Sequence, residues 1–186
     1  LVCLVGSEMC IRDSYWGVWH GGDDFKAFDD NVGRFMTEYG MQSFPSMSMI
    51  ESFTNEKDRS LDSDVMNAHQ KASLGTGNLM KYVEDYYEVN DDFDSIAGLS
   101  QIMQAEAIRF AVETHRRNMP YCMGTLYWQF NDCWPVISWS SIDYGGNWKA
   151  LHYAARKFFS PLLVSIRDLD NKIEIHVIND QHHEIE

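Results

Sequence analysis

The longest regular stretch in this 186-residue chain is a helix-period run. In it Leu99, Ile102, Met103, Ala107, Phe110 and Ala111 recur at intervals of three and four over roughly five turns, up to Asn118. Met119-Pro120 ends the run, and Tyr121 to Phe130 then reads as a strand. A helix, a proline-bearing turn and a buried strand, in that order, form the alternating unit of a parallel sheet or barrel, because parallel strands need a crossover between them. The fold class is therefore read as α/β.

The rest of the chain fits shorter elements around that unit. Tyr15 to Gly22 is an aromatic, strand-like run closing on a histidine and two glycines, and Lys26 to Val32 is a short helical turn. Ser46 to Phe53 reads as another helical turn, followed by a charged loop from Thr54 to Asp64. Ser63 offers an N-cap for a helix to about Ala72, which Gly75-Thr-Gly77 breaks, and Asn78 to Tyr87 resumes helix. Asn147 to Ser160 is a helix with an inward stripe of Leu151, Ala154, Ala155 and Phe158. After Pro161 the period changes to two: Leu163 to Arg167 and Lys172 to Ile178 are strands around a turn at Asp168 to Asn171, with Ile173, Ile175 and Val177 on one face. That change of period marks a domain boundary near Ser160.

Two stretches end in polar chemistry. Arg34-Phe-Met-Thr-Glu-Tyr-Gly40 delivers Glu38 to the end of a short apolar run, where Gly40 and Pro45 turn the backbone away. Gly124-Thr-Leu-Tyr-Trp-Gln-Phe-Asn-Asp-Cys-Trp-Pro135 repeats the design, breaking into tryptophan, amide and acid before a proline. A carboxylate presented at the C-terminal lip of a buried strand is where barrel enzymes keep their chemistry; an ordinary surface acid at a strand end would look the same.

Composition narrows the partners. A formal charge of -13 with no basic stripe argues against nucleic acid, and no stretch reaches the ~18 to 20 apolar residues of a membrane helix. Six Trp and nine Tyr exceed what a core needs and suit a cleft that grips sugar rings, although aromatics also fill cores and interfaces. Cys3, Cys10, Cys122 and Cys133 show no C-x-x-C spacing and no Cys/His cluster, so no metal is expected. Cys122 and Cys133 read as two buried thiols flanking one strand, too far apart to bridge along it. His69, His115 and His152 lie on helices as packing or solvent residues. No targeting signal is read and the compartment is left open.

Leu1 to Ser14 does not match the remainder and resembles translated sequencing-adapter sequence, so residues 1–14 are set apart as non-native. From Tyr15 the motifs accumulate: Tyr15-Trp-Gly-Val-Trp-His-Gly21, Gly33 to Pro45, His69-Gln-Lys71, Gln104-Ala-Glu-Ala107, Arg116-Arg117, Met123 to Val136, Ser138-Trp-Ser-Ser-Ile-Asp143 and Trp148-Lys-Ala-Leu-His-Tyr153. In that order they resemble the β-mannosidases of glycoside hydrolase family 2, over Tyr15 to about Ser165.

The resemblance implies that residues 15–160 are the C-terminal third of a (β/α)8 TIM barrel, with strands ending near His20, Glu38 and Phe130. Residues 161–186 would begin an immunoglobulin-like β-sandwich, and the N-terminal domains of the same protein would be missing. It implies that Glu38 is the nucleophile of a retaining exo-β-mannosidase acting on oligosaccharides with terminal β-mannose, with no cofactor. Such a carboxylate must stay ionised, with hydrogen bonds expected from neighbours such as Tyr39 or an arginine. The general acid/base follows an Asn in the family, and the one Asn-Glu here, Asn55-Glu56, lies in a charged loop after the nucleophile. The acid/base is therefore read as absent from this chain, which alone would be inactive. For substrate binding the resemblance points to Trp128 as a sugar platform, with Asn131, Asp132 and Trp134 in the loop where sugar hydroxyls would lie. Either Asn131 or Asp132 could instead cap that loop, and His20 could meet a hydroxyl or orient the Gly21-Gly22 turn. The alternatives are another specificity in the same family (β-galactoside, β-glucuronide or exo-glucosaminide) and a non-catalytic carbohydrate-binding module.

Overall fold

The computed structural model describes residues 13–169, 171–181, 183 and 184. Readings placed on residues 1–12, Cys3 and Cys10 among them, lie outside the described residues.

The element that places the site is a short parallel sheet. Strand β1 (Asp13–Ser14) runs beside β2 (Met36–Glu38), with the Asp13 N–H on the Phe35 carbonyl and the Tyr15 N–H on the Glu38 carbonyl, each at 2.9 Å. Asp13 and Ser14, set apart from the domain on sequence grounds, are thus paired with its central strand. On the other side of β2 the Met36 N–H bonds the Gly124 carbonyl, the Leu126 N–H the Met36 carbonyl and the Trp128 N–H the Tyr39 carbonyl, at 2.8–2.9 Å. The expected strand at Tyr121 to Phe130 is therefore extended and parallel to β2, but it makes only one isolated bridge there, Met36 to Thr125. It has a ladder on one edge alone among the described residues, and regular strand structure needs successive paired residues.

The aromatic run at Tyr15 to Gly22 is not a strand. Gly17–Gly21 is a single wide turn in which the Trp16 carbonyl accepts from both His20 and Gly21 N–H at 3.1 Å. Alternating aromatics imitate a strand, yet Gly17, Gly21 and Gly22 let the backbone fold back, and Gly22 closes it at φ 76.

The helices follow the expected order. They are α1 (Ala27–Asp30), α2 (Met47–Phe53), α3 (Asp64–Ala68), α4 (Gly75–Tyr86), α5 (Phe93–Arg117) and α6 (Ala150–Phe158). Ser46 and Ser63 cap α2 and α3 through their hydroxyls. Helix α3 stops at Ala68, short of the expected Ala72, and Gly75 starts α4 instead of separating two helices.

Helix α5 starts earlier than its apolar pattern and keeps most of that pattern's face inward, Ile102 excepted. Ile102 is 47% exposed, while Ile96, Met103, Ala107, Ile108 and Ala111 share the buried face with Ser100 and Gln104. The two polar residues are there because they satisfy the backbone that turns away from β2. The Ser100 hydroxyl accepts from the Phe44 N–H at 3.0 Å, and Gln104 Nε2 donates to the Met41 carbonyl at 2.8 Å. A buried amide or hydroxyl is cheap only when paired in this way.

After α6, strands β3 (Leu162–Leu169) and β4 (Lys172–Asn179) form the expected antiparallel hairpin, in register from Leu162–Asn179 to Leu169–Lys172. Val164, Ile166, Ile175 and Val177 stand on one face, 58–68% exposed. The hairpin is fixed at its root by charges from the end of α5. Arg116 donates to the carbonyls of Phe158 and Ser160 and pairs with Asp180, and Arg117 reaches Ser165. No described helix is long and apolar enough to cross a membrane.

Candidate functional site

Glu38 ends β2, half-buried, and its Oε1 accepts from Trp16 Nε1 at 3.0 Å. The wide turn is what makes this possible, since it swings the Trp16 indole over the strand end. A hydrogen bond to an ionised carboxylate is among the stronger ones a protein makes, and it fixes the direction of the remaining lone pairs. Tyr39 does not supply such a bond. Its hydroxyl points the other way, to Thr125 Oγ1 at 2.6 Å, where His115 Nδ1 also meets Thr125 at 2.8 Å. Burial pushes the Tyr39 phenol well above its usual range and holds His115 down to about 4. The pair is a packed support beneath the strand.

Aromatic rings wall the site. Trp16 meets His20 at 5.0 Å and Trp139 at 6.2 Å, both edge-on, and Trp19 meets Trp139 at 6.0 Å. The wall requires Gly40: a Cβ there would lie 2.4 Å from the Trp128 carbonyl oxygen and 3.0–3.1 Å from the rings of Trp16 and Trp139. Behind it Trp19 is held at φ 80, a region a tryptophan enters only under constraint. Helix α4 provides the constraint: the Trp19 N–H donates to the Tyr82 hydroxyl at 2.9 Å, and Asn78 Nδ2 donates to the Trp19 carbonyl at 2.9 Å.

The residues singled out from sequence divide into three groups. His20 and Trp128 join Glu38 at the wall, His20 through its ring contact with Trp16 and Trp128 through its carbonyl over Gly40; both are exposed, Trp128 by 43%. Asp132 is enclosed by protein. Its Oδ2 accepts from Ser138 and Ser140 at 2.7 and 2.5 Å and its Oδ1 from Gln129 at 3.0 Å, with Lys71 at 3.8 Å. It therefore braces the loop, whereas the neighbouring Asn131 is exposed and free to face a ligand. Trp134, 37% exposed, belongs to a separate stack in which it meets His69 at 5.7 Å and His69 lies flat on Phe53 at 3.9 Å. Cys133 is exposed and Cys122 buried, both free, so the expectation of two buried thiols fails for Cys133, which sits on the loop and not in a strand.

Trp16 and Trp139 were not singled out as site residues. Trp16 could have been found from the Trp-Gly pair before the turn, but nothing in the pattern placed it beside Glu38. A cleft of about 720 Å³ between α1, α5 and the hairpin is lined by Asp29, Glu113, Arg109, Arg117 and Arg167 among others. These charges already pair with one another, so the cleft is a seam between elements and offers no reactive group. No group of three or more His, Cys, Asp or Glu among the described residues could hold a metal.

No family model matches the chain. It is 38% identical to the curated β-mannosidase B of Aspergillus terreus over 88% of its own length, and equally so to that of Aspergillus niger. The chain spans about a fifth of the length of these relatives, 20% in each. The crystal structure of a β-D-mannosidase from Dictyoglomus thermophilum matches 91% of the chain and 21% of that protein, with a TM-score of 0.88 at 36% identity. An exo-chitosanase from Amycolatopsis orientalis shares the fold alone, at 17% identity and a TM-score of 0.59 over 67% of the chain.

Proposed function

The chain belongs to the β-mannosidase family over the fifth of the length it shares with its relatives, and on that premise we propose that it carries the nucleophile half of a retaining exo-β-mannosidase site, with Glu38 as nucleophile. The observation that carries this reading is the Glu38 carboxylate at the end of a parallel strand, oriented by Trp16 Nε1 at 3.0 Å inside an aromatic wall. Glu38 attacks the anomeric carbon of a terminal β-D-mannoside as the bond to the leaving oxygen breaks. The ester that forms is opened by water, so the configuration is retained. Trp16 keeps one carboxylate oxygen occupied and the other directed at the sugar. Trp128 supplies a face for the ring, with His20 and Asn131 as hydroxyl partners.

Retention needs a second carboxyl about 5 to 5.5 Å from the first. Glu56 is exposed in the turn after α2 and cannot serve, so the acid/base belongs to a part of the protein outside this chain. In this reading residues 15–160 are the last third of a (β/α)8 barrel and the hairpin opens a β-sandwich. The parallel order of residues 13–15, 34–39 and 123–128 supports the first assignment, and the change to antiparallel pairing after Pro161 supports the second.

The test is hydrolysis of p-nitrophenyl β-D-mannoside by the full-length protein that carries this chain, wild type beside Glu38→Ala. The variant is expected to lose about a thousandfold or more in kcat and to regain turnover with azide, releasing α-mannosyl azide. A variant that keeps wild-type activity would remove Glu38 from the mechanism; activity on a different β-glycoside would change only the sugar.

A further inference from the structure

Lys149 is fully buried, although nothing in the reaction proposed above calls on it. It lies at the start of α6, and its ammonium is within hydrogen-bond reach of two carbonyls, Ser43 at 3.4 Å and Ser138 at 3.3 Å. No carboxylate lies within 4 Å of it among the described residues. A cation enclosed without a counter-ion is costly, and where one persists the groups it holds are the first place to look for its purpose.

Those groups lead to both sides of the site. Ser43 lies on the turn leaving Glu38, and its own N–H donates to the Ser138 carbonyl at 3.0 Å. The Ser138 and Ser140 hydroxyls hold Asp132, and Asp132 holds Gln129, which follows Trp128 in the chain. The Gln129 N–H in turn donates to the carbonyl of Trp139, one of the wall residues, at 3.1 Å. Lys149 is the buried cation placed between the turn behind the carboxylate and the loop behind the sugar platform.

We propose that Lys149 is a positioning residue of the Glu38 site: its charged ammonium pins the Ser43 and Ser138 carbonyls together, and loss of its proton loosens the turn behind Glu38 and the Trp128 loop. This rests on the reading of Glu38 as nucleophile. The charged groups that face Lys149 are Asp132 and Asp143; Lys71 meets Asp132 at 3.8 Å, and Asp143 is occupied by Ser46 and Asn147. Burial pushes the lysine down to about 7, against the pull of those two carboxylates, so the proton is exchanged near neutral pH.

Activity and stability then respond to pH in opposite directions. The folded state binds this proton more weakly than the unfolded chain does, so between about 7 and the ordinary lysine value the contribution of Lys149 to stability rises with pH. Its contribution to catalysis falls over the same range, because the charged form does the pinning. A merely structural lysine would move both together.

The experiment compares kcat/KM of the full-length protein with Lys149→Met on p-nitrophenyl β-D-mannoside at pH 5.5 and 8.5, with thermal unfolding at both pH values. The ratio of wild type to variant is expected to be about tenfold at pH 5.5 and to approach one at pH 8.5, while the variant melts no lower than wild type at pH 5.5. Lys149→Gln, which keeps a donor without the charge, gives the same comparison if the methionine variant does not fold. A ratio that is the same at both pH values overturns the proposal. Azide rescue of Glu38→Ala is measured alongside: if it succeeds and the lysine ratio is flat, the nucleophile stands and the positioning role alone is wrong.

Discussion

Around Glu38 much of the interior is polar and hydrogen-bonded, although Trp19 Nε1, Gln42 Oε1 and Trp139 Nε1 are buried without a partner. Ser43, Ser100, Gln104, Ser138, Ser140, Asp132 and Lys149 are buried together, each bonded to backbone or to another of the set. The β3–β4 hairpin is arranged the other way, with its charges bonded at the root by Arg116, Arg117 and Asp29 and an apolar face left bare. A site needs side chains held at fixed angles, and directional bonds do that where greasy contacts would let them slide. The hairpin's bare face is in register and ready to pack, but none of its rigidity comes from that face. The two regions should therefore respond to substitution by different amounts and through different readouts.

The comparison breaks most sharply at Gly40. Gly40→Ala puts a methyl into the Trp128 carbonyl, and a loss of about 3 kcal/mol in stability together with a collapse of activity is expected, read by thermal unfolding and kcat/KM. An active, stable alanine variant would mean that the wall yields. Acid should act next, through His115. Its value lies below the ordinary histidine value in the folded protein, so its stabilising contribution is complete above about 6.5 and is lost as pH falls towards 4. Up to about 3 kcal/mol is at stake, and an acid titration of stability for wild type beside His115→Asn should show the slope flattened in the variant.

Trp16→Phe keeps the ring and removes the donor to Glu38. A fall of about ten- to a hundredfold in kcat with little change in melting is expected, the size of one charge-assisted hydrogen bond. At the hairpin root, Arg116→Met should cost about 2 kcal/mol and leave the site intact, with limited proteolysis cutting the 162–179 hairpin first. Smallest of all, Ile175→Thr on the bare face should change stability by less than about 0.5 kcal/mol. A larger loss would show that this face is already covered in solution.

Much of the framework was legible. The caps at Ser46 and Ser63, the end of α5 near Asn118 and the hairpin all follow local rules that act within a few residues. The place of Glu38 at a strand end was legible from the apolar run before it, whereas the role proposed for it comes from the family resemblance. What escaped depends on partners distant in sequence. The turn at Gly17–Gly21 is held by Tyr82 and Asn78, so its own aromatic alternation misdirects. Helix α5 buries Ser100 and Gln104 because the chain leaving β2 needs them, which hydrophobic spacing could not show; of its stripe only Ile102 proves exposed. Asp132 and Asn131 are neighbours of opposite burial, and the serines at 138 and 140 draw Asp132 inward. Lys149 stood within a family-like motif, but nothing local marked it as buried, since a lysine near a helix start is ordinarily a surface residue.

Gly40 can also serve as a filter for reading other chains. Three walls converge on the missing side chain: a backbone carbonyl from one loop and an indole from each of two others. A sequence that keeps the acid but places any side chain two residues later cannot assemble the same enclosure, whatever else it shares. The smallest residue in the motif therefore marks whether a distant relative has kept the chamber or only the strand that once led to it.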